Sequence, residues 1–234
     1  MPHCGAGEIR HTCRENLKKG ADLLKLFITP GVPDPASTFV PSFLSLEEIS
    51  AAVSEGARLG IPTAAHCIGG QGLKDCIDGG VDVIEHMYMA SEQDVERLAA
   101  SRCVVDLTSG IFLDPSREEF LSPANALKVR LNRSRVRENV ARIIKARLPF
   151  VLGTDAYHGF LYREVGYAVE LGAAPVTAIQ GVTSRAARVC RLEDRIGKLE
   201  NGMEADIIAV EGNPLEDVSR LSQVGLVMKG GVVY

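Results

Sequence analysis

Four ionisable residues stand in or at the end of short apolar segments that have the composition of buried strands. Lys25 lies in the segment Leu-Leu-Lys-Leu-Phe, His66 ends Thr-Ala-Ala-His, His86 ends Val-Ile-Glu-His and Asp155 ends Leu-Gly-Thr-Asp. Each residue alone has a structural explanation, because lysines form salt bridges, buried histidines are hydrogen-bonded and aspartates cap turns. Sites in α/β proteins are built at the carboxyl ends of strands, so four such residues on four strands indicate one shared site.

Two neutral imidazoles and a carboxylate are ligands that suit Zn²⁺ or a similar divalent ion. A lysine beside a metal can be neutral, because burial and a nearby cation lower its pKa. A neutral Lys25 amine can add CO₂ and form a carbamate, whose two oxygens can bridge two metals. Such a site clamps a hydroxide and polarises a carbonyl, and Asp155 would carry the proton to the leaving amine. The residues therefore predict one or two divalent ions at a hydrolytic site.

Apolar strands alternate with helices between residues 21 and 190. One helix begins at Ser45, which forms a capping box with Glu48. Strands that are apolar on both faces and alternate with helices are typical of a parallel sheet covered by helices. The predicted strands span residues 21–28, 62–67, 81–86, 103–107 and 150–154, and the predicted helices span residues 45–59, 71–77, 91–100, 125–147, 161–171 and 175–190.

These strands and helices make five βα units of roughly 34 residues, the size of a unit of a barrel or a doubly wound sheet. A closed (β/α)8 barrel needs eight units and roughly 250 residues. The sequence therefore predicts either an open α/β sheet or the C-terminal part of a barrel. Beyond residue 190 the pattern changes to turn-rich β structure, with predicted strands over residues 205–210, 224–228 and 232–234.

The composition excludes several classes of protein. The chain has 234 residues, 46% of them hydrophobic, and a formal net charge of −4. This apolar content excludes disorder as the main state, and the absence of a basic block argues against nucleic acid or membrane partners. No apolar run approaches the roughly 18 residues of a membrane span. The six scattered cysteines and the lack of a signal sequence predict a reduced, cytoplasmic protein.

The four residues in their order and context resemble the metal-dependent amidohydrolase superfamily, closest to its imidazolonepropionase-like and Xaa-Pro dipeptidase-like branch. The resemblance runs from about residue 14 to the C-terminus. It implies a partial (β/α)8 (TIM-type) barrel over residues 1–190 and, over residues 191–234, part of a small β-sandwich. The tail segments that carry it are Gly-Lys-Leu-x-x-Gly-x-x-Ala-Asp-Ile-Ile (197–208), Gly-Asn-Pro-Leu-Glu-Asp (212–217) and Val-Met-Lys-Gly-Gly-Val (227–232).

The resemblance also implies a role for each residue. Lys25 corresponds to the carboxylated lysine that bridges the metals, and His66 and His86 to the ligands of the second metal. Asp155 corresponds to a ligand of the first metal that is also the catalytic acid and base. The implied reaction is metal-assisted hydrolysis of an amide or other C–N bond in a small molecule, such as a dipeptide or a cyclic amide.

The sequence departs from this family pattern at the first metal. The family carries a His-x-His pair on its first barrel strand, whereas the histidines here are residues 3, 11, 66, 86 and 158. The missing pair matches the three missing βα units, and His3 and His11 are too far apart to replace it. We therefore expect the chain alone to bind at most one divalent ion well and to hydrolyse substrate poorly or not at all.

Weaker candidates for substrate contact are His158, Tyr88 and Thr108, the last with its neighbour Ser109. Two alternatives to an enzyme remain open at this point. The chain could be a non-catalytic remnant, or a metal-binding α/β module that depends on association with another chain. An incomplete barrel exposes strand edges and apolar lining, so homo-oligomers are also expected.

Overall fold

The structure is a computed structural model that describes residues 5–155 and 158–234. Its centre is a five-stranded sheet in which the strands follow chain order and every neighbouring pair is parallel. This confirms the predicted partial barrel with helices between the strands. Within the described residues the sheet stays open, so its first and last strands each have one neighbour. The strands are β1 (Leu24–Phe27), β2 (Thr63–Cys67), β3 (Val83–His86), β4 (Val104–Leu107) and β5 (Phe150–Leu152).

Nine α-helices are seen in the described part of the chain, and most of them contribute buried side chains to one hydrophobic core. Three short 3₁₀ helices lie at Pro115–Phe120, His158–Phe160 and Val218–Ser222. The α-helices are α1 (Ala6–Lys18), α2 (Leu46–Ala57), α3 (Gly70–Gly79), α4 (Glu92–Ala99), α5 (Gly110–Leu113), α6 (Pro123–Lys145), α7 (Leu161–Glu170), α8 (Pro175–Gly181) and α9 (Ser184–Val189).

Local sequence explains where helices begin and where one of them breaks. The Ser45 side chain accepts from the Glu48 amide while Glu48 accepts from the Ser45 amide, so the predicted capping box is confirmed. The prediction of a single helix over residues 175–190 is wrong, because this segment forms two helices, α8 and α9. The Thr183 hydroxyl donates to the Ile179 carbonyl at 2.8 Å, which competes with regular helical bonding at the break.

Two further elements were not expected. Residues 6–18 form α1, which buries Ile9 and Cys13 on one face against the core. Its Arg14 side chain forms an ion pair with Glu55 of α2, with nitrogen and oxygen 2.7 Å apart. The segment between β4 and α6, for which no helix or strand is predicted, contains α5 and a 3₁₀ helix.

The two faces of the sheet differ in what covers them. On the outer face Leu26, Ala65, Ile84 and Val105 are buried in one core together with side chains of the surrounding helices. Because successive strand residues face opposite sides, their neighbours point to the inner face. That inner face is partly open, and Phe27 on it is 56% exposed.

The C-terminal segment forms a second, three-stranded antiparallel sheet from β6 (Ile207–Val210), β7 (Val224–Lys229) and β8 (Val232–Val233). The predicted separate β-sheet is therefore confirmed. A 3₁₀ turn between β6 and β7 packs Val218 and Leu221 against the core of the barrel part. Within residues 5–155 and 158–234, no helix combines the length and the apolar character needed to cross a membrane.

Candidate metal centre

A row of side chains crosses the inner face of the sheet. Phe27 is in register with His66, His66 with Glu85, and Glu85 with Asp106. Residues that are in register on parallel strands face the same side, so these four side chains share the inner face. Lys25 precedes Phe27 by two residues and therefore faces the same way. Three of the strands that the sequence singled out thus bring polar groups to one surface.

His66 and His86 lie side by side on neighbouring strands. Their ring centroids are 4.4 Å apart and the rings are inclined by 64°. Strand alternation alone would turn His86 away from the inner face, but its φ of +80° rotates the backbone at the end of β3. Positive φ at a residue with a side chain is strained, and such strain collects at functional sites. The Nε2 atom of His86 consequently lies 3.8 Å from Oε2 of Glu85.

Both imidazoles are held in the neutral form that metal ligands require. Burial, together with the nearby His66 and Lys25, lowers the pKa of His86 to about 3. Burial also lowers the pKa of His66, against the opposing effects of the Pro30 carbonyl, Glu85 and Asp155, while the Lys25 charge adds to the lowering. His66 and His86 are therefore both available as nitrogen ligands near neutral pH.

The amine of Lys25 forms a salt bridge with Oε2 of Glu85. The Lys25 side chain is 46% exposed, whereas that of Glu85 is 15% exposed. Lys25 is thus at the partly open side of the inner face, within reach of the same carboxylate that approaches His86. The lysine, the two histidines and Glu85 form one continuous group of polar side chains.

Asp155 follows β5 in a left-handed backbone conformation with φ of +56°, and it is exposed. Its charge raises the pKa of both His66 and Asp106, so it lies at the same end of the sheet as these residues. The roles of Lys25, His66, His86 and Asp155 as metal ligands stay predictions.

Asp106 is a site residue that the sequence analysis missed. Burial and, to a smaller extent, the neighbouring Glu85 charge raise the pKa of Asp106 to about 7. Its Oδ1 atom is buried and has no hydrogen-bond partner among the described residues. A Cβ atom at Gly153 would lie 3.0 Å from both carboxylate oxygens, so the glycine leaves room for this side chain. The sequence did offer a signal for Asp106, because an acidic residue stands inside the apolar segment Val-Val-Asp-Leu. Glu85 stands in the same way inside Val-Ile-Glu-His.

The three predicted substrate contacts have different positions. Tyr88 and Thr108 are buried, at 2% and 3% exposure, and both contact His86. Ser109 is also buried, next to Thr108. The side chain of His158 lies outside the described residues. Contact of Tyr88, Thr108 or His158 with a substrate therefore stays a prediction.

A metal ion fits part of this arrangement. Within the described part of the chain, no three His, Cys, Asp or Glu side chains are placed to hold an ion together. The donor set nevertheless suits a divalent ion whose third ligand is a lysine carbamate, because it offers two neutral imidazoles beside Lys25. The buried Oδ1 of Asp106, which has no partner in residues 5–155 and 158–234, is a further oxygen donor nearby.

Comparison with known proteins finds relatives of this chain among curated enzymes. The Aspergillus niger ochratoxinase is 32% identical over 245 aligned residues, which cover 98% of this chain and 50% of the ochratoxinase. The imidazolonepropionase of Desulfotalea psychrophila is 24% identical over 179 residues, which cover 72% of this chain and 38% of that protein. The chain thus spans half or less of the length of these curated relatives.

Solved structures show the same fold. A crystal structure of a Xaa-Pro dipeptidase with bound methionine in the active site matches with a TM-score of 0.87 and 31% identity, covering 99% of this chain and 59% of the other. The crystal structure of the A. niger ochratoxinase matches with a TM-score of 0.82 and 29% identity, covering 98% and 54% of the two chains. The amidohydrolase family matches residues 3–233. The chain therefore belongs to the amidohydrolase family, whose members generally depend on divalent metals.

Proposed function

We propose that this chain carries the C-terminal half of a divalent-metal-dependent hydrolase that cleaves amide or other C–N bonds. The observation that carries the proposal is the approach of two neutral imidazoles, His66 and His86, beside Lys25 at one end of a parallel sheet. Residues 1–190 would be the barrel part and residues 191–234 the strands of a β-sandwich. We also propose a cytoplasmic location, because the described cysteines are all free thiols.

His66, His86 and Lys25 as its carbamate would hold the ion, and Zn²⁺ is the ion that this donor set suits. A bound ion supplies Lewis acidity toward a carbonyl oxygen and lowers the pKa of a coordinated water. Asp155 is exposed at the end of β5, where its carboxylate can accept and return a proton. Lys25 must leave Glu85 before it can become a carbamate, because a salt-bridged ammonium does not add CO₂.

The class of substrate is inferred from the relatives. The matched structures include a Xaa-Pro dipeptidase, which by its name acts on dipeptides. We infer a small-molecule amide, with a dipeptide as the first class to test and a cyclic amide as the second. Of the predicted substrate contacts, His158 would be the one to reach such a substrate, because Tyr88 and Thr108 are buried against His86.

The number of ions follows from the ligands present. The chain has no His-x-His segment, and His11 lies exposed on α1. The second metal position would keep His66, His86 and the Lys25 carbamate, whereas the first would keep Asp155 and the shared carbamate alone. We infer that the chain alone binds at most one divalent ion tightly and hydrolyses its substrate weakly or not at all.

Metal binding of the purified chain tests the proposal. Zn²⁺ binding is measured by calorimetry with and without bicarbonate, for the natural chain and for His66→Ala, His86→Ala and Lys25→Met. We expect about one tightly bound ion, weaker binding in all three variants, and a bicarbonate effect that Lys25→Met removes. The matched control is His11→Ala on α1, which should bind like the natural chain. Two tightly bound ions, or binding that survives loss of both His66 and His86, contradicts the proposal.

A non-catalytic module is the second candidate, and the Lys25–Glu85 salt bridge favours it, since a lysine held as an ammonium does not form a carbamate. This candidate also binds the ion through His66 and His86. A hydrolysis assay with dipeptides and cyclic amides, at saturating Zn²⁺, can exclude the non-catalytic module. Turnover that depends on Asp155 supports the enzyme, whereas metal binding without turnover supports the module or a half-enzyme that needs another chain.

A further inference from the structure

The hydrogen bonds around His86 form a short chain that ends on a backbone carbonyl. Nδ1 of His86 lies 2.7 Å from the Thr108 hydroxyl, and that hydroxyl lies 2.6 Å from the Tyr88 hydroxyl. The Tyr88 hydroxyl in turn lies 2.9 Å from the carbonyl oxygen of Thr108. All three residues are buried, so water does not supply the missing partners.

The direction of this chain follows from the number of protons. A carbonyl oxygen only accepts, so the Tyr88 hydroxyl donates to the Thr108 carbonyl. Tyr88 has no second proton, so the Thr108 hydroxyl donates to Tyr88. Thr108 then has no proton left for His86, and the third contact needs a proton on Nδ1. Three short contacts require three protons, and the two hydroxyls carry only two of them.

We propose that Thr108 and Tyr88 are positioning residues that fix the tautomer of His86 with hydrogen on Nδ1 and a bare lone pair on Nε2. Nε2 is the nitrogen that faces Glu85 on the inner face, at 3.8 Å from Oε2. The role of that lone pair as a metal ligand rests on the proposed function, whereas the tautomer itself does not. The proposal explains why a tyrosine and a threonine are buried behind His86.

The alternative tautomer leaves one contact without a proton. If the Thr108 hydroxyl donated to Nδ1, Tyr88 would have to donate to the Thr108 hydroxyl. The Tyr88 oxygen and the Thr108 carbonyl oxygen would then face each other at 2.9 Å with no hydrogen between them. Donation from Tyr88 directly to Nδ1 is disfavoured by the longer distance of 3.4 Å.

The surrounding side chains prevent Tyr88 from turning away. Its ring packs edge-on against Phe112 with centroids 4.5 Å apart. The Asn139 side chain donates to the Tyr88 carbonyl at 2.8 Å, which ties its backbone to α6. Tyr88 is therefore fixed at both its backbone and its ring, and its hydroxyl keeps its two neighbours.

Nitrogen NMR of the full chain, labelled with ¹⁵N-histidine and kept free of metal at neutral pH, tests the tautomer. Long-range ¹H–¹⁵N spectra report which ring nitrogen carries hydrogen, and His86→Asn identifies the His86 signals by their loss. We expect His86 protonated on Nδ1. In Tyr88→Phe the Thr108 hydroxyl is free to donate to Nδ1, so we expect the Nε2-protonated form to appear. A natural chain with hydrogen on Nε2 of His86 overturns the proposal.

A pair of Thr108 variants provides the control for folding. Thr108→Ser keeps the hydroxyl and should keep the Nδ1–H signature, whereas Thr108→Val has the same shape without it and should lose the signature. An unchanged spectrum in Thr108→Val contradicts the proposal.

Zn²⁺ titration of the same samples tests separately whether the Nε2 lone pair of His86 is a metal ligand. We expect affinity about 10- to 100-fold lower in Thr108→Val than in Thr108→Ser, the range for loss of a group that orients a ligand. Unchanged affinity with an altered tautomer would count against the metal role alone.

Discussion

The amine of Lys25 on β1 pairs with the carboxylate of Glu85 on β3, and β2 lies between the two strands. The salt bridge therefore passes over the inner face at the strand that carries His66. The same Glu85 carboxylate lies 3.8 Å from Nε2 of His86. Glu85 thus connects the lysine with one of the two candidate imidazole ligands.

Replacing Glu85 by Gln tests this connection electrostatically. The Glu85 charge raises the pKa of His66, so its removal should lower that pKa. The measurement is an NMR pH titration of the His66 ring proton in the metal-free chain. Glu47→Gln, an exposed carboxylate on α2, is the control and should leave the titration unchanged. A higher His66 pKa in Glu85→Gln would show that Glu85 does not act on this ring as the structure indicates.

Asp106→Asn should change how stability depends on pH. Burial raises the pKa of Asp106 to about 7 from a usual value of 3.8, so the fold prefers the protonated form. The protonated Asp106 contributes fully to stability below the pKa that this carboxyl has in the unfolded chain. That contribution is lost as the pH rises through about 7. Each pH unit between these values lowers the free energy of unfolding by at most about 1.4 kcal/mol. Asn carries no charge, so the variant should lose less stability between pH 4 and pH 7.

Urea unfolding of the natural chain and of Asp106→Asn, at intervals from pH 4 to pH 8, measures this difference. The variant should be the more stable of the two at pH 8, where the natural carboxylate is ionised. Asp22→Asn removes an exposed carboxylate just before β1 and should follow the natural chain. Parallel curves for the natural chain and Asp106→Asn would mean that the Asp106 carboxylate titrates normally.

A buried ion pair next to β5 should contribute strongly to folding. Arg117 and Glu164 are almost completely buried, and their charged groups are 2.9 Å apart. Arg117 also donates to the carbonyl of Thr154, and Glu164 accepts from the Gly110 amide. Arg117→Met or Glu164→Gln leaves one buried group without its partner, so each should lower the free energy of unfolding by about 3–5 kcal/mol.

The double variant Arg117→Met/Glu164→Gln distinguishes pairing from packing. It removes both charges, so its loss of stability should be clearly smaller than the sum of the single losses. Denaturant unfolding of the natural chain and the variants gives the coupling between the two residues. Additive losses would indicate that the side chains act through packing alone.

Self-association is the fourth expectation. Phe27 and Phe43 are 56% and 50% exposed and stack on each other with centroids 6.0 Å apart, beside the open edge β1. Exposed aromatic groups at a strand edge favour contact with a second copy. The molar mass from light scattering should rise with protein concentration, and Phe43→Ser should reduce that rise. Leu199→Ser, another exposed apolar residue far along the chain, should not reduce it.

Much of the fold was predictable because it depends on local patterns. The strand at residues 62–67 and the helix that begins at Ser45 follow from an apolar run and a capping box, and both are confirmed. The 3₁₀ helix after α5 and the break at Thr183 were not predictable, because side chains bonding to nearby backbone decide them.

The candidate site was predictable in its residue types and less so in its neighbours. The order of Lys25, His66 and His86 along the chain was enough to place them on neighbouring strands. Asp106 and the pairing of Lys25 with Glu85 needed the register of the sheet, which sequence periodicity does not supply. The turn of His86 toward the inner face depends on a positive φ. Positive φ is usually marked by a glycine, and this position is a histidine, so the sequence did not indicate it.

The sheet follows chain order, so the candidate donors are unequally protected. His66 and His86 are carried by β2 and β3, which have a strand on either side, whereas Lys25 lies on the edge strand β1 and Asp155 follows the edge strand β5. Edge strands open more readily than interior ones when a native protein fluctuates. Fraying at either border would withdraw the lysine or the aspartate while the imidazole pair stays assembled. Amide hydrogen exchange should therefore be slowest through the two histidine strands.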